Sequence, residues 1–146
     1  MASYTKTFYA TDSRNTTNYI STGLGIENRF RPNAHESSLY VSRQPYRAVD
    51  GYMYISENSP TIFFDHDIPY GKKVTGVKVF VRARRSYNKN VYMGFSGPVS
   101  VTSGWCEFNV EGAYSSYTIE QRDNDEFGYA EFYSHTTAYS PYMVVT

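Results

Sequence analysis

The feature that most constrains the fold is an alternation of side-chain types over residues 77–84. Small apolar side chains recur at every second position, at Val77, Val79, Val81 and Ala83. Successive side chains of a β-strand point to opposite faces, so these four share one face and predict a strand with one buried side. We expect the other face, which holds Lys78, Arg82 and Arg84, to be solvated or covered by a neighbouring chain.

Other short runs of strand-forming residues lie between turn signals such as Gly97-Pro98, which we expect to form a hairpin turn or a crossing between sheets. The runs are TKTFYA, SSLYVSR, GYMYIS, TIFFD, NVYMGFS, SVTSGWCEFNV, SYTIEQ, YAEFYS and YMVVT. Aromatic residues, which favour strands, make up 18% of the chain, and no segment keeps a helical spacing of apolar residues over three turns. We therefore predict one all-β domain over residues 1–146, an antiparallel β-sandwich of jelly-roll-like form with about 8–10 short strands.

The segment 11–36 departs from this pattern. It is polar, contains Gly23, Gly25 and Pro32, and shows little alternation. Loops of this length are usually functional or disordered. We predict a long loop or arm here, and we expect it to reach a neighbouring subunit.

Charge and cysteine content argue against several classes of protein. Fourteen Lys and Arg residues balance fourteen Asp and Glu residues, so there is no basic excess for a nucleic-acid partner. No apolar stretch approaches the ~18 residues of a membrane span, and the start MASYTKTFYATDSR lacks the features of a secretory signal. The single cysteine, Cys106, allows no internal disulfide, and we expect it to be a small buried or half-buried hydrophobe. These observations favour synthesis in a reducing cytoplasm.

Two acidic runs are the candidates for a metal site. Asp65, His66 and Asp67 are consecutive, but alternation directs the two carboxylates away from the imidazole, so the triplet alone cannot surround one ion. Residues 122–126, RDNDE, carry oxygen ligands but lack the glycine and the final glutamate of a helix-loop-helix calcium motif. The alternatives are a solvated strand end and a plain acidic turn, and we predict neither metal nor cofactor.

Catalytic signatures are missing from the sequence, whereas aromatic residues are plentiful. No GxSxG motif is present, so we predict that the chain is not an enzyme. Tyrosine combines a flat apolar ring with a hydroxyl, which suits sugar rings and protein interfaces. Burial in the core is the alternative for each ring. The residues that we predict as surface or glycan contacts are Trp105, Tyr114, Tyr117, Tyr139 and Tyr142.

One segment resembles a known family pattern. Residues 61–85, TIFFDHDIPYGKKVTGVKVFVRARR, join an apolar strand ending in Phe and Asp to an Ile-Pro-x-Gly turn and then to the valine-alternating strand. This arrangement resembles β-sandwich accessory proteins of phage virions, of the decoration, head-fibre or tail-tip type, and also some bacterial adhesin modules. Pro69 and Gly71 turn the chain between neighbouring strands, so the motif is structural.

The resemblance implies a non-enzymatic virion structural protein, most naturally a small capsid decoration or accessory protein made in the host cytoplasm and located in the virion. Its expected partners are other capsid or tail proteins and further copies of itself, with a trimer as the natural closed form. The alternative function is a carbohydrate-binding module for host-surface adsorption, at a tail tip or on a receptor-binding protein, with a host glycan as the partner.

Overall fold

The computed structural model describes residues 4–21, 31–34, 37–47, 53–68, 73–85, 90–101, 104–122 and 129–146. Within these ranges the chain forms thirteen β-strands and no helix. The strands are β1 (Lys6–Tyr9), β2 (Asp12–Ser21), β3 (Arg31–Ala34), β4 (Ser38–Arg47), β5 (Met53–Asn58), β6 (Thr61–Phe63), β7 (Val77–Arg85), β8 (Asn90–Met93), β9 (Ser96–Ser100), β10 (Gly104–Val110), β11 (Ser116–Glu120), β12 (Ala130–Tyr133) and β13 (Tyr142–Val145).

All the strand pairings are antiparallel, and together they join the strands into one sheet. The main path through the sheet is β1-β13-β7-β12-β4-β5-β2-β6-β11-β8-β9, with β10 beside β7 and β3 beside β2. This path curls strongly into a half-barrel. The prediction of an all-β antiparallel protein is confirmed, although the strand number exceeds our prediction of about 8–10.

The additional strands are β2, β3 and β9, since most of every other strand lies in a predicted run. Strand β9 contains Gly97 and Pro98, where we predicted a turn. The turn of the β8–β9 hairpin lies earlier, at Gly94 and Phe95, and Gly94 has a φ of 61°. That left-handed conformation favours glycine, so the turn forms at the first glycine of the segment instead of the second.

The core lies on the inward side of the curled sheet. Val77, Val79, Val81 and Ala83 of β7 are all buried, which confirms the predicted apolar face. Cys106 is buried among them, as expected. The largest fully buried side chains come from β10 and from strands along the main path, and they include Phe108, Phe132, Leu39, Ile62, Met93, Ile119 and Met143. Burying each such side chain contributes roughly 1.5–3 kcal/mol, so apolar burial is the main stabilising force of this core.

The prediction of a long loop or arm over residues 11–36 is contradicted by strand β2. Its residues pair with β5 and β6 along one edge and with β3 along the other, so this part of the chain is a central strand. The prediction is wrong for residues 12–21 and 31–34; residues 22–30 and 35–36 lie outside the described ranges. Among the β2 side chains that the structure describes, those of residues 12–17, the buried ones are polar, at Ser13, Asn15 and Thr16, so hydrophobic alternation does not reveal this part of the strand.

The sheet divides beside β2. Strand β5 pairs with β4 on its far side, whereas β6, in the same register along β2, pairs with β11. Pairing of β4 with β5 begins at Ser42, and the preceding residues 38–41 pair with β12 instead. The Asn15 side chain bridges this division: Nδ2 donates to the Ser38 carbonyl at 2.8 Å and Oδ1 accepts from the Tyr40 amide at 2.9 Å. Its carboxamide therefore takes the place that a neighbouring strand's peptide group would occupy.

Candidate functional site: an aromatic and arginine surface

The outward face of β7 gathers aromatic residues from its neighbours. Phe80 lies opposite Tyr142 of β13, and Arg82 lies opposite Trp105 of β10. Directly opposed residues of neighbouring strands place their side chains on the same face. The register therefore brings all four side chains together on the side of the sheet that points away from the core.

The rings form a row across β1, β13, β7 and β10. Phe80 and Tyr142 stack with ring centroids 4.7 Å apart and an interplanar angle of 15°. Trp105 meets Tyr142 edge-on at 5.1 Å, and Tyr9 lies 5.9 Å from Tyr142 on the β1 side. Tyr142 is the centre of the row, and its contacts hold the other rings in fixed orientations.

Two arginines continue this row over the turn between β12 and β13. The Arg82 guanidinium carbon lies 4.0 Å from the centroid of the Tyr139 ring and 6.0 Å from that of Trp105. Tyr139 contacts Tyr133 at 5.0 Å between centroids, and Arg84 lies 5.8 Å from the Tyr133 centroid. We call this set the aromatic–arginine surface; it consists of Tyr9, Phe80, Arg82, Arg84, Trp105, Tyr133, Tyr139 and Tyr142.

The aromatic–arginine surface is open to solvent at several rings. Tyr9 is 66% exposed, and Trp105 and Tyr139 are each 41% exposed. Exposed cation–π contacts are worth roughly 0.5–1 kcal/mol each. Several such contacts within one row restrict the orientations of these side chains.

The charge of this surface is positive at its two arginines. Among the described residues no carboxylate lies within ion-pair distance of Arg82 or Arg84, and Arg84 Nη1 donates to Ser38 Oγ at 2.7 Å. Lys78, on the same face, is paired with Glu107 at 2.9 Å. The surface therefore offers guanidinium donors beside stacked rings.

Comparison of the chain with protein-family models, with curated proteins and with solved structures found no match. Across the described ranges, no helix is long and apolar enough to cross a membrane.

Of the five residues predicted as surface contacts, Trp105, Tyr139 and Tyr142 come together in the aromatic–arginine surface. Tyr114 is exposed but lies elsewhere, where it lines a cleft of about 410 Å³ together with the exposed Phe95. The prediction of Tyr117 as a surface contact is wrong, because this residue is buried in the core.

The Tyr117 hydroxyl explains its inward position. It donates to the Gly112 carbonyl at 2.5 Å and accepts from the Tyr114 amide at 2.8 Å, so its polar end is satisfied inside the protein. Burial raises the pKa of the Tyr117 phenol because the phenolate would lose its solvation there.

Three aromatic members of the surface were not among the predicted contact residues: Phe80, Tyr9 and Tyr133. For Phe80 the signal was present, since period-two alternation places it on the same face as Lys78 and Arg82. Tyr9 and Tyr133 join the surface only through the pairing of β1 with β13 and through the turn after β12, and these placements depend on the tertiary fold.

The acidic runs considered for metal binding have other contacts. Asp67 forms an ion pair with Lys6 at 2.7 Å, and the hydrogen bond and charge of Lys6 lower the pKa of the Asp67 carboxyl. The His66 ring lies edge-on to Phe8. Within the described residues, no group of three or more His, Cys, Asp or Glu side chains is placed to hold a metal ion. Of residues 122–126 the structure describes only Arg122, which pairs with Glu120 at 2.9 Å.

The fold also brings together a serine, a histidine and an aspartate that the sequence did not connect. Ser13 Oγ lies 2.6 Å from His135 Nδ1, and His135 Nε2 lies 3.8 Å from Asp12 Oδ1. This differs from a catalytic triad in its accessibility, because Ser13 is only 1% exposed and its Oγ also accepts the His135 amide at 3.1 Å. The contact links β2 to the β12–β13 turn.

Proposed function

We propose that this chain is a non-enzymatic structural protein of a phage virion, a small capsid decoration or accessory protein that attaches to its assembly through the aromatic–arginine surface. The observation that carries the proposal is this contiguous, solvent-facing set of Trp, Tyr and Arg side chains. These are the residue types most enriched among the energetic centres of protein interfaces. The resemblance of residues 61–85 to virion accessory proteins supports a virion as the assembly.

As part of this proposal, the curled sheet is a β-sandwich of jelly-roll-like form, the fold expected for such accessory proteins. Its partners are other virion proteins of the capsid or tail, and a second and third copy of the chain around a three-fold axis. Attachment buries the ring of Trp105 and the stack of Phe80 and Tyr142, while Arg82 and Arg84 donate to carboxylates or carbonyls of the partner.

The test is binding to virions that lack this protein. The purified chain is mixed with such particles and cosedimented, and it is compared with a Trp105→Ala/Arg82→Ser double variant. Phe95→Ser is the matched control, because Phe95 is an aromatic residue 88% exposed on the β8–β9 turn, outside the aromatic–arginine surface. We expect the wild type and the control to cosediment and the double variant to lose at least about tenfold in affinity.

Two outcomes overturn the proposal: failure of the wild type to cosediment, or equal binding by the double variant. Light scattering over a range of concentrations tests the oligomer separately. A stable trimer supports assembly around a three-fold axis, and a monomer at all concentrations removes that part.

The alternative function is a carbohydrate-binding module for host-surface adsorption. The observation that favours it is the exposed indole of Trp105 beside Tyr139 and Arg82, since exposed rings stack on the apolar faces of sugars. Trp105 is the single tryptophan of the chain, so its intrinsic fluorescence reports on this surface alone. Quenching by a host glycan supports this function, whereas unchanged fluorescence across a glycan panel, with retained binding to virions, excludes it.

A further inference from the structure

A cleft lies on another part of the sheet, where the pairing of β4 with β5 ends and the Asn15 side chain bonds to β4. The cleft has a volume of about 480 Å³, which is within the range of small-molecule sites. Its described lining consists of Asn15, Thr17, Tyr40, Ser42, Gln44, Asn58 and Tyr129. Every one of these side chains is polar, and none carries a charge at neutral pH.

The floor of the cleft is a chain of hydrogen bonds across three strands. Thr17 Oγ1 of β2 donates to Asn58 Oδ1 of β5 at 2.7 Å, and Asn58 Nδ2 donates to Ser42 Oγ of β4 at 2.8 Å. These bonds fix the rotamers of all three side chains. Each group keeps capacity for further bonds, since the Ser42 hydroxyl still donates, the Thr17 oxygen still accepts and Asn58 Nδ2 has a second hydrogen.

The rim of the cleft is aromatic. Tyr40 and Tyr129 lie with ring centroids 6.3 Å apart and planes inclined at 52°. Tyr40 is 37% exposed, and Tyr129 and Gln44 are half-buried beside it. The site thus combines two tilted rings with a fixed floor of hydroxyl and amide groups.

This combination identifies the ligand by its chemistry. Side-chain amides and hydroxyls both donate and accept, which matches ligand hydroxyl groups that do the same. Aromatic rings fit a flat apolar face that carries those hydroxyls. An anion or a cation would lose its hydration here without meeting an opposite charge among the described lining residues. A neutral sugar ring meets all three conditions.

We propose that the cleft between β2 and β4 binds a neutral saccharide, with Tyr40 and Tyr129 against the sugar ring and Ser42, Gln44 and Asn58 bonded to its hydroxyls. This site is separate from the aromatic–arginine surface and does not depend on the function proposed for that surface. It gives the chain a contact to glycans that leaves the attachment surface free.

The experiment is a titration of the full chain with neutral and acidic oligosaccharides, followed by calorimetry. The neutral probes are maltotriose, cellotriose, raffinose and diacetylchitobiose, and the acidic probe is sialyllactose. We expect at least one neutral probe to bind with a Kd below about 10 mM, and Trp105 fluorescence to stay constant during binding.

Two variants test the assignment with different risks to folding. Tyr129→Ala removes a rim ring, and Gln44→Ala shortens a half-buried side chain without touching the Thr17, Asn58 and Ser42 bonds. Each is expected to weaken binding at least about tenfold. Tyr114→Ala is the matched control, because Tyr114 is an exposed tyrosine that lines a different cleft. Unfolding midpoints show which variants are folded.

Three results overturn the proposal. The first is no binding by any neutral probe at concentrations up to about 10 mM, the upper limit of the expected Kd. The second is binding of sialyllactose alone. The third is binding that Trp105→Ala abolishes and the cleft variants retain, which would move the saccharide to the aromatic–arginine surface.

Discussion

Strands β7 and β2 hold equivalent central positions in the sheet but are fixed by different forces. Each has neighbours along both edges: β7 pairs with β10, β12 and β13, and β2 pairs with β3, β5 and β6. The inward side of β7 is valine and alanine, whereas the buried side chains of β2 among its residues 12–17 are Ser13, Asn15 and Thr16. Apolar burial is therefore not the only way in which this fold fixes a central strand.

The two strands also differ in how closely their position is specified. Valine burial is non-directional and depends on area, so β7 is held by the whole apolar layer against which it packs. The bonds of β2 are directional. Asn15 reaches β4, and Ser13 reaches the turn after β12, and neither of these segments forms a backbone ladder with β2 in the described residues. Side-chain bonds thus fix β2 against parts of the sheet that its main chain does not touch.

The largest loss of stability is expected when a large apolar side chain beside β7 is removed. Phe108 of β10 is opposite Val79 and fully buried. Phe108→Ala removes that burial and leaves a cavity, so we expect a loss of about 3–5 kcal/mol in the free energy of unfolding. Urea denaturation measures it. Trp105→Ala, on the outward face of the same strand, is the control, and a loss as large there would contradict the division into a buried and an outward face.

The next effect tests the polar strand. Asn15→Leu keeps the branched shape and the number of heavy atoms of the side chain but removes the acceptor for the Tyr40 amide and the donor to the Ser38 carbonyl. We expect a loss of about 2–3 kcal/mol, because two main-chain groups at the division of the sheet lose these bonds. Asn109→Leu, the same change at an exposed site of β10, is the control and should stay within about 0.5 kcal/mol of the wild type. A stabilised Asn15→Leu would show that apolar burial serves β2 as well as it serves β7.

The reverse substitution, of a polar for an apolar side chain, tests the apolar side of β7. Val79→Thr keeps the shape of a fully buried side chain but adds a hydroxyl to an apolar layer. We expect a loss of about 1–2 kcal/mol, since the hydroxyl gives up its hydration there. Val74→Thr, at a position 37% exposed, is the control. Equal stabilities of the two variants would mean that the layer beside β7 accepts polar groups as readily as the environment of β2.

The same contrast explains how much the sequence predicts. Strand β7 can be predicted from the sequence because its apolar residues recur with the period of two that a half-buried strand requires. Strand β2 cannot be predicted in this way, because the hydrogen-bond partners of the Ser13 and Asn15 side chains lie more than twenty residues away along the chain. The candidate site divides in the same way. Phe80 and Arg82 share a face by alternation alone, but Tyr9 reaches that face only through the pairing of β1 with β13.

The smallest expected effect concerns the charge at the start of β2. Burial acts to raise the pKa of the Asp12 carboxyl, but the hydrogen bond and charge of Arg14, the Ser13 amide and the charge of His135 together outweigh it and lower the pKa below 3.8. Arg14 Nε donates to Asp12 Oδ2 at 2.9 Å. A carboxyl whose pKa is lower in the folded state stabilises the fold above its unfolded pKa, and this contribution is lost as the pH falls through the folded value.

We therefore expect Asp12→Asn to be less stable than the wild type at pH 7, by under about 1 kcal/mol, and the difference to disappear at an acidic pH below the folded-state pKa of Asp12. Urea midpoints of both proteins at the two pH values measure it, and the acid destabilisation that both share cancels in the difference. In an Arg14→Ala background the gap should shrink, because the ion pair is already broken. A difference in stability that persists unchanged at low pH would show that Asp12 stabilises the fold by packing and not by its charge. The hydrogen bonds of Ser13 and Asn15 would then be the polar contacts that fix β2.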